Sequence, residues 1–302
     1  MKRFFKHIIL FGLIFFTVEK VTWFLLDATP KRQYDKRLEK LINGEINKEL
    51  IVLGSSKGAG NILANQLEEE TGLSAYNLSY QGSNVNFHEF ILKTLLKYNE
   101  KPEIILLAID NPSEFVGDIS IRYRVDVLQP LTNYNYINTT LIDEGVNNKL
   151  SHVFFLSRLN KSHFRFKNRT APSMNPLDSS GTMPLIKKKD LELIYSKNKS
   201  SYNTALEESS RLTSFKNIQY LCKKNNIQLI HVFSPSYRSF NLSFFNRFKK
   251  LQKAEEGVIV FDTLKPEYKN ADYFYDYAHL LENGAEIFTS EISAFINKNN
   301  TK

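Results

Sequence analysis

Residues 49–60 read Glu-Leu-Ile-Val-Leu-Gly-Ser-Ser-Lys-Gly-Ala-Gly, an apolar run over 50–53 that breaks into a glycine, two serines and a small-residue turn. A short apolar run without alternation fits a strand covered on both faces. Outward from it the same rhythm repeats. Residues 49–53 are expected to form a first strand, 61–71 a helix with Ile62, Leu63 and Leu67 along one side, and 75–78 a short second strand. A helix over 86–98 and a wholly apolar third strand over 104–109 follow. Further on the pattern returns as helix 205–225, strand 227–233, helix 241–253, strand 258–261 and closing helix 283–297. Strands and helices alternating at this spacing predict an α/β domain with a mostly parallel, doubly wound sheet.

Between about 115 and 204 the rhythm gives way to aromatic, Asn-rich and basic stretches. This segment is expected to be an insertion or lid that borders a site at the carboxyl ends of the strands. The first residues differ in kind. Apolar side chains dominate 4–26, interrupted by Glu19 and Lys20, over a membrane-spanning length with no clear small-residue cleavage site. Residues 1–30 therefore read as one uncleaved N-terminal transmembrane helix, 31–48 as a helical spacer and 49–302 as the α/β domain. A buried or amphipathic helix is the alternative, because two charges inside one span are costly unless they snorkel or pair. Lys2, Arg3 and Lys6 at one end are balanced by Lys31, Arg32, Lys36 and Arg37 at the other, so charge does not choose the membrane side.

The chain has 302 residues, 42% of them hydrophobic, enough for one large domain. Its formal charge of +8 is scattered, with no denser run than the one over 187–189, and no recognition module with interleaved aromatics appears. The charge reads as a solvated surface and not as a nucleic-acid site. Cys222 is the only cysteine, which excludes an internal disulfide and a cysteine-based zinc site, and it reads as a core position. His7, His88, His152, His163 and His231 lack metal-ligand spacing. No metal or organic cofactor is called for.

Ligands of open parallel sheets bind beyond the carboxyl ends of the strands. Four features fall there: Ser55 and Ser56 after the first strand, Gly82 after the second, Asp110 and Asn111 after the third, and Asp276 with His279 after the last. With these residues the chain resembles the SGNH, or GDSL-like, hydrolase superfamily, especially its membrane-anchored bacterial branches. Gly54-Ser55-Ser56 stands where the family has Gly-Asp-Ser, and Asp276-Tyr277-Ala278-His279 matches its Asp-x-x-His block. The stretch over 76–82 is similar to the second block, ending at Gly82; Asp110-Asn111 stands at the third without that block's glycine.

The resemblance implies a flavodoxin-like three-layer α/β/α fold. It implies Ser56 as nucleophile, His279 as base, Asp276 as orienting carboxylate, and Ser56, Gly82 and Asn111 as oxyanion-hole donors. A serine becomes nucleophilic when a hydrogen-bonded imidazole takes its proton, so the residue types suit the chemistry. The implied activity is that of a serine esterase or O-acyltransferase on acylated carbohydrate or another cell-envelope polymer. The implied setting is the bacterial cytoplasmic membrane, with the domain extracytoplasmic, the lipid bilayer as partner and a membrane-embedded acyl donor as a further one.

Other readings stay open. An inactive SGNH-type glycan-binding or assembly protein would keep the fold without turnover. Gly54, Gly58 and Gly60 also resemble the glycine-rich turn of short-chain dehydrogenases, whose Tyr-x-x-x-Lys pair would fall at Tyr195 and Lys199. Taken singly, Ser55 and Ser56 could cap a helix, Gly82 could serve a positive φ, and Asn111 and Asp276 could be turn formers.

Overall fold

The structure, a computed structural model, describes the chain apart from residues 118–119, 189–191, 198–200 and 301–302 and the side chain of Asn300. In chain order the elements are α1 (Lys2–Lys31), α2 (Arg37–Ile42), β1 (Leu50–Gly54), α3 (Ser56–Asn61), α4 (Ala64–Thr71), β2 (Ala75–Asn77), α5 (Val85–Tyr98) and β3 (Ile104–Ala108). There follow α6 (Val125–Leu128), α7 (Asn135–Asp143), α8 (Ser209–Lys224), β4 (Gln228–Phe233), α9 (Leu242–Lys249), β5 (Gly257–Val260) and α10 (Glu282–Asn300), with short 3-10 turns between.

Among the described residues five strands form one all-parallel sheet, in the order β2-β1-β3-β4-β5. The fold is the doubly wound α/β class that the apolar runs predict. Winding reverses between β1 and β3, and the crevice beyond their carboxyl ends is where such sheets bind ligands. Successive strand residues face opposite sides. Leu50, Val52, Ile104, Leu106, Ile230 and Val232 join one apolar cluster with Leu67 of α4 and Phe288 and Ile292 of α10. On the other side α5 packs on α8, and His231 of β4 meets Phe215 of α8 with ring centroids 5.4 Å apart. Phe233 lies 4.9 Å from the ring of Phe248 and 5.1 Å from that of Phe245, so α9 closes that layer with aromatic contacts.

The helix expected over 61–71 is two helices. Ile62 is extended, with φ −125° and ψ 110°, and so is Leu63, with φ −92° and ψ 105°. Side chains from distant segments take up the backbone groups freed by the break. Thr289 Oγ1 accepts from Leu63 N–H at 3.1 Å, Thr182 Oγ1 from Ala64 N–H at 3.0 Å, and Asn77 Nδ2 donates to Ile62 C=O at 3.0 Å. Helical periodicity cannot register partners so far away in sequence. Similarly, α8 starts at Ser209 and not at 205, and helix within 31–48 is confined to α2 beyond the last residue of α1.

The chain divides into two packed units, 1–39 with 124–170, and 40–123 with 171–302. The second holds the sheet. In the first, α1 is long and apolar enough to cross a membrane, with a mean hydropathy of 1.9 over its best window. Its later turns bury Thr22, Leu26, Thr29 and Pro30, while Phe4, Ile9, Phe11 and Phe16 are exposed. Arg158, buried in the same unit, donates to Ser151 C=O at 2.7 Å, Thr132 C=O at 3.2 Å and Asn135 Oδ1 at 2.9 Å.

Candidate active site

The turn after β1 is tightly confined. A Cβ on Gly54 would stand 2.8 Å from Ala108 Cβ, and one on Gly58 would stand 2.5 Å from Ser79 Oγ. Both are shorter than side chains tolerate, so only glycine lets α3 begin this close to β3 and to the loop after β2. Ser56 is thereby the first residue of α3, at the carboxyl end of β1. Its N–H belongs to the first helical turn, where no acceptor exists within the helix.

His279 reaches Ser56 from a loop 223 residues away, its Nε2 2.7 Å from Ser56 Oγ. The other ring nitrogen, Nδ1, lies 2.9 and 3.0 Å from the two oxygens of Asp276. An ionised carboxylate only accepts, which assigns the proton to Nδ1 and leaves Nε2 to accept from the serine hydroxyl. Asp276 Oδ1 also accepts from the backbone N–H groups of Ala278 at 2.8 Å and His279 at 2.9 Å. Burial works to raise the Asp276 carboxyl, but the imidazole and these amides outweigh it and hold it down at about 2. The turn-forming role open to Asp276 in sequence is therefore real, and the same turn aims its partner at Ser56.

The loop is fixed from several sides. Asn61 Oδ1 accepts from Leu280 N–H at 3.1 Å, and Asn61 Nδ2 donates to Ser234 Oγ at 3.2 Å. Tyr275 N–H donates to His279 C=O at 3.0 Å, and Tyr237 N–H to Tyr277 C=O at 3.1 Å.

A cavity of about 550 Å3 opens over these groups, and Ser56, Gly82, Asn111, Asp276 and His279 all line it. Gly82 has φ +69°, and its carbonyl accepts from Arg122 N–H at 2.9 Å. The positive φ proposed for it in sequence is thus present, beside the cavity. Asn111 Oδ1 accepts from Ser113 N–H at 3.0 Å and caps a 3-10 turn, which leaves its NH2 group as the end able to donate elsewhere. Ser55 is the N-cap residue of α3, yet its hydroxyl makes no capping bond and finds no partner among the described residues. Pro172, Met174, Met183, Leu185 and Ile121 give the cavity an apolar wall.

Three contributors were missed in the sequence. Lys57, next to the serine, pairs with Asp110 at 2.7 Å and donates to Ser236 Oγ at 2.9 Å, while Ser234 Oγ donates to Asp110 at 2.9 Å. This cluster ties together the loops after β1, β3 and β4. Its members all lie just beyond strand ends, which is the sequence signal that marks them. Asn61, expected at the start of a helix, is instead the last residue of α3. Glu114 is fully buried in the cavity wall, and burial pushes its carboxyl well above the usual carboxylate range. It lies 4.0 Å from Nδ1 of His88, whose burial lowers it to about 3.

The remaining sequence candidates sit apart from this chemistry. Cys222 is buried, and desolvation pushes its thiol up to about 12. No cluster of metal-ligating side chains occurs among the described residues. The glycines that resemble a dinucleotide turn are backed by protein atoms; a Cβ on Gly60 would stand 3.1 Å from Met183 C=O. Tyr195 packs on Tyr237 with centroids 5.4 Å apart, while Lys199, like Lys189 of the basic run, lies outside the described residues. Compared with protein-family models and with curated proteins, the chain matches none.

Proposed function

We propose that this protein is a membrane-tethered serine esterase or O-acyltransferase of SGNH type that works through an acyl-Ser56 intermediate. The observation that carries the reading is the continuous hydrogen-bond chain from Ser56 Oγ through His279 to Asp276. As Oγ attacks an ester carbonyl, His279 Nε2 takes its proton, and the imidazolium then returns it to the departing alkoxide. Asp276 stabilises that imidazolium. Ser56 N–H, Gly82 N–H and the Asn111 amide are the donors assigned to the oxyanion, each worth roughly a hundredfold or more in such sites. A second cycle, with water or a sugar hydroxyl as acceptor, releases the acyl group.

The apolar wall beside a polar nucleophile suits an acyl chain on a hydrophilic carrier, which favours acylated carbohydrate or another cell-envelope polymer. The bacterial cytoplasmic membrane, an extracytoplasmic orientation and an acyl-donor partner in the membrane follow from the family resemblance together with a helix of spanning length. An inactive, glycan-binding relative is the second reading. It is favoured by the stretch Asp110-Asn111-Pro112, which lacks the glycine of the family's third block.

The test is intact-mass analysis of the detergent-solubilised full chain after a brief exposure to p-nitrophenyl acetate. A one-acetyl increment that maps to Ser56 and is absent from Ser56→Ala is the expected result. Turnover retained in Ser56→Ala would overturn the assignment of Ser56 as nucleophile, and no adduct with no turnover in folded protein would replace this reading with the binding one.

A further inference from the structure

Glu19 interrupts the apolar face of α1, and the structure shows what it does. Its carboxylate accepts from the backbone N–H groups of Phe155 at 2.8 Å and Leu156 at 3.1 Å, the start of a 3-10 turn in the same packed unit. One turn earlier in α1, the ring of Phe15 meets Phe154 edge-on with centroids 5.6 Å apart. Further along, Arg32 donates to His163 C=O at 3.3 Å, and Arg169 N–H donates to Arg32 C=O at 2.9 Å. The segment over 149–169 therefore runs beside α1 from the level of Phe15 to that of Arg32.

That segment exposes large apolar side chains. Leu150 is 59% exposed, Val153 72%, Leu156 45%, Phe164 56% and Phe166 66%. Such crowding outside a transmembrane helix marks an interaction surface. It is continuous with the exposed apolar face of α1, because Phe154 and Phe155 touch α1 where Val18, Val21 and Phe24 are still exposed. Lys149, Lys161, Arg165 and Lys167 are interspersed and exposed. Apolar side chains alternating with long cations match the boundary between acyl chains and phosphate headgroups.

We infer that residues 149–167 form a second membrane-contacting surface, lying in the headgroup boundary beside α1, so that the anchor is a helix with an interfacial collar. From Phe4 to Val18 α1 rises about 21 Å, a short span of the kind a bilayer meets by thinning, which sets Glu19 and Lys20 at the boundary. The Phe155 and Leu156 amides supply the partners the Glu19 carboxylate needs there, and Phe15 with Phe154, one turn deeper, lies about 6 Å inside, the depth of an interfacial segment. Trp23 sits where interfacial aromatics gather. A groove of about 430 Å3, lined by Phe16, Glu19, Lys20, Trp23 and Phe155, lies between collar and helix.

The inference requires α1 to be in the bilayer but not that Ser56 be catalytic. The experiment is nitroxide labelling of the full chain, reconstituted in nanodiscs of phosphatidylcholine and phosphatidylglycerol. Single cysteines replace Leu150, Val153 or Leu156, with Phe11→Cys as the reference in α1 and Leu264→Cys as the reference in the sheet-bearing unit. Collision with oxygen relative to a nickel chelate reads depth, and the parent chain with buried Cys222 sets the background. The expected result is oxygen-dominated relaxation at Leu150 and Val153, shallower than at Phe11 and unlike the nickel-dominated Leu264. Nickel-dominated relaxation at both collar sites with Phe11 lipid-embedded would overturn the collar alone. Nickel-dominated Phe11 would overturn the anchor and the collar together.

Discussion

Asp276 joins two jobs in one side chain, shaping the turn through the Ala278 and His279 amides and orienting the imidazole that faces Ser56. Holding its carboxyl at about 2, below the ordinary 3.8, has a consequence for stability. A carboxylate whose folded pKa is depressed stabilises the fold above the ordinary value, and that contribution fades as pH falls through the folded one. With the side chain 30% exposed, solvent screening limits it to the order of 1 kcal/mol. Asp276→Asn should therefore lower unfolding free energy at pH 7, with the gap to wild type narrowing between pH 4 and 2; urea titrations at stepped pH would show it. A gap independent of pH would mean the charge contributes nothing there. The residue types were legible because Asp-x-x-His places a carboxylate and an imidazole one turn apart. The 2.7 Å approach of His279 to Ser56 was not, since it depends on Asn61 gripping Leu280 from another element.

Elements built from uninterrupted apolar runs were the readable ones. β1 and β3 are buried along their whole length, and no polar position competes with the strand reading. What escaped was structure imposed by distant polar partners, as at the break between α3 and α4, where Thr182, Thr289 and Asn77 do what a continuing helix would have done. Glycine in α3 likewise reports close packing and not a ligand. Gly58→Ala should destabilise the protein by about 1–3 kcal/mol through overpacking against Ser79 and Ala108. Adding Ser79→Gly should recover part of that loss, because it removes the nearest clashing atom. Equal denaturation midpoints for Gly58→Ala and wild type would show that α3 can shift away from the strand, and would weaken the claim that its start is pinned at Ser56.

Across the whole molecule, the doubly wound class follows from strand and helix alternation, while the division into 1–39 with 124–170 and 40–123 with 171–302 does not. No change of composition marks residue 124 or 170, because the cues are contacts such as Glu19 with Phe155 and Arg158 with Thr132. These contacts also make α1 more than a detachable tether. Leu26, Thr29 and Pro30 are buried, so removing residues 1–31 would uncover apolar surface, and the full chain in detergent is the form to assay. The most direct measurement is fluorophosphonate labelling of that chain, comparing wild type with Ser56→Ala, His279→Ala and Ser55→Ala. An activated Ser56 predicts labelling that is lost in the first two and retained in Ser55→Ala; folded wild-type protein that does not label, or that labels at Ser55, would contradict it.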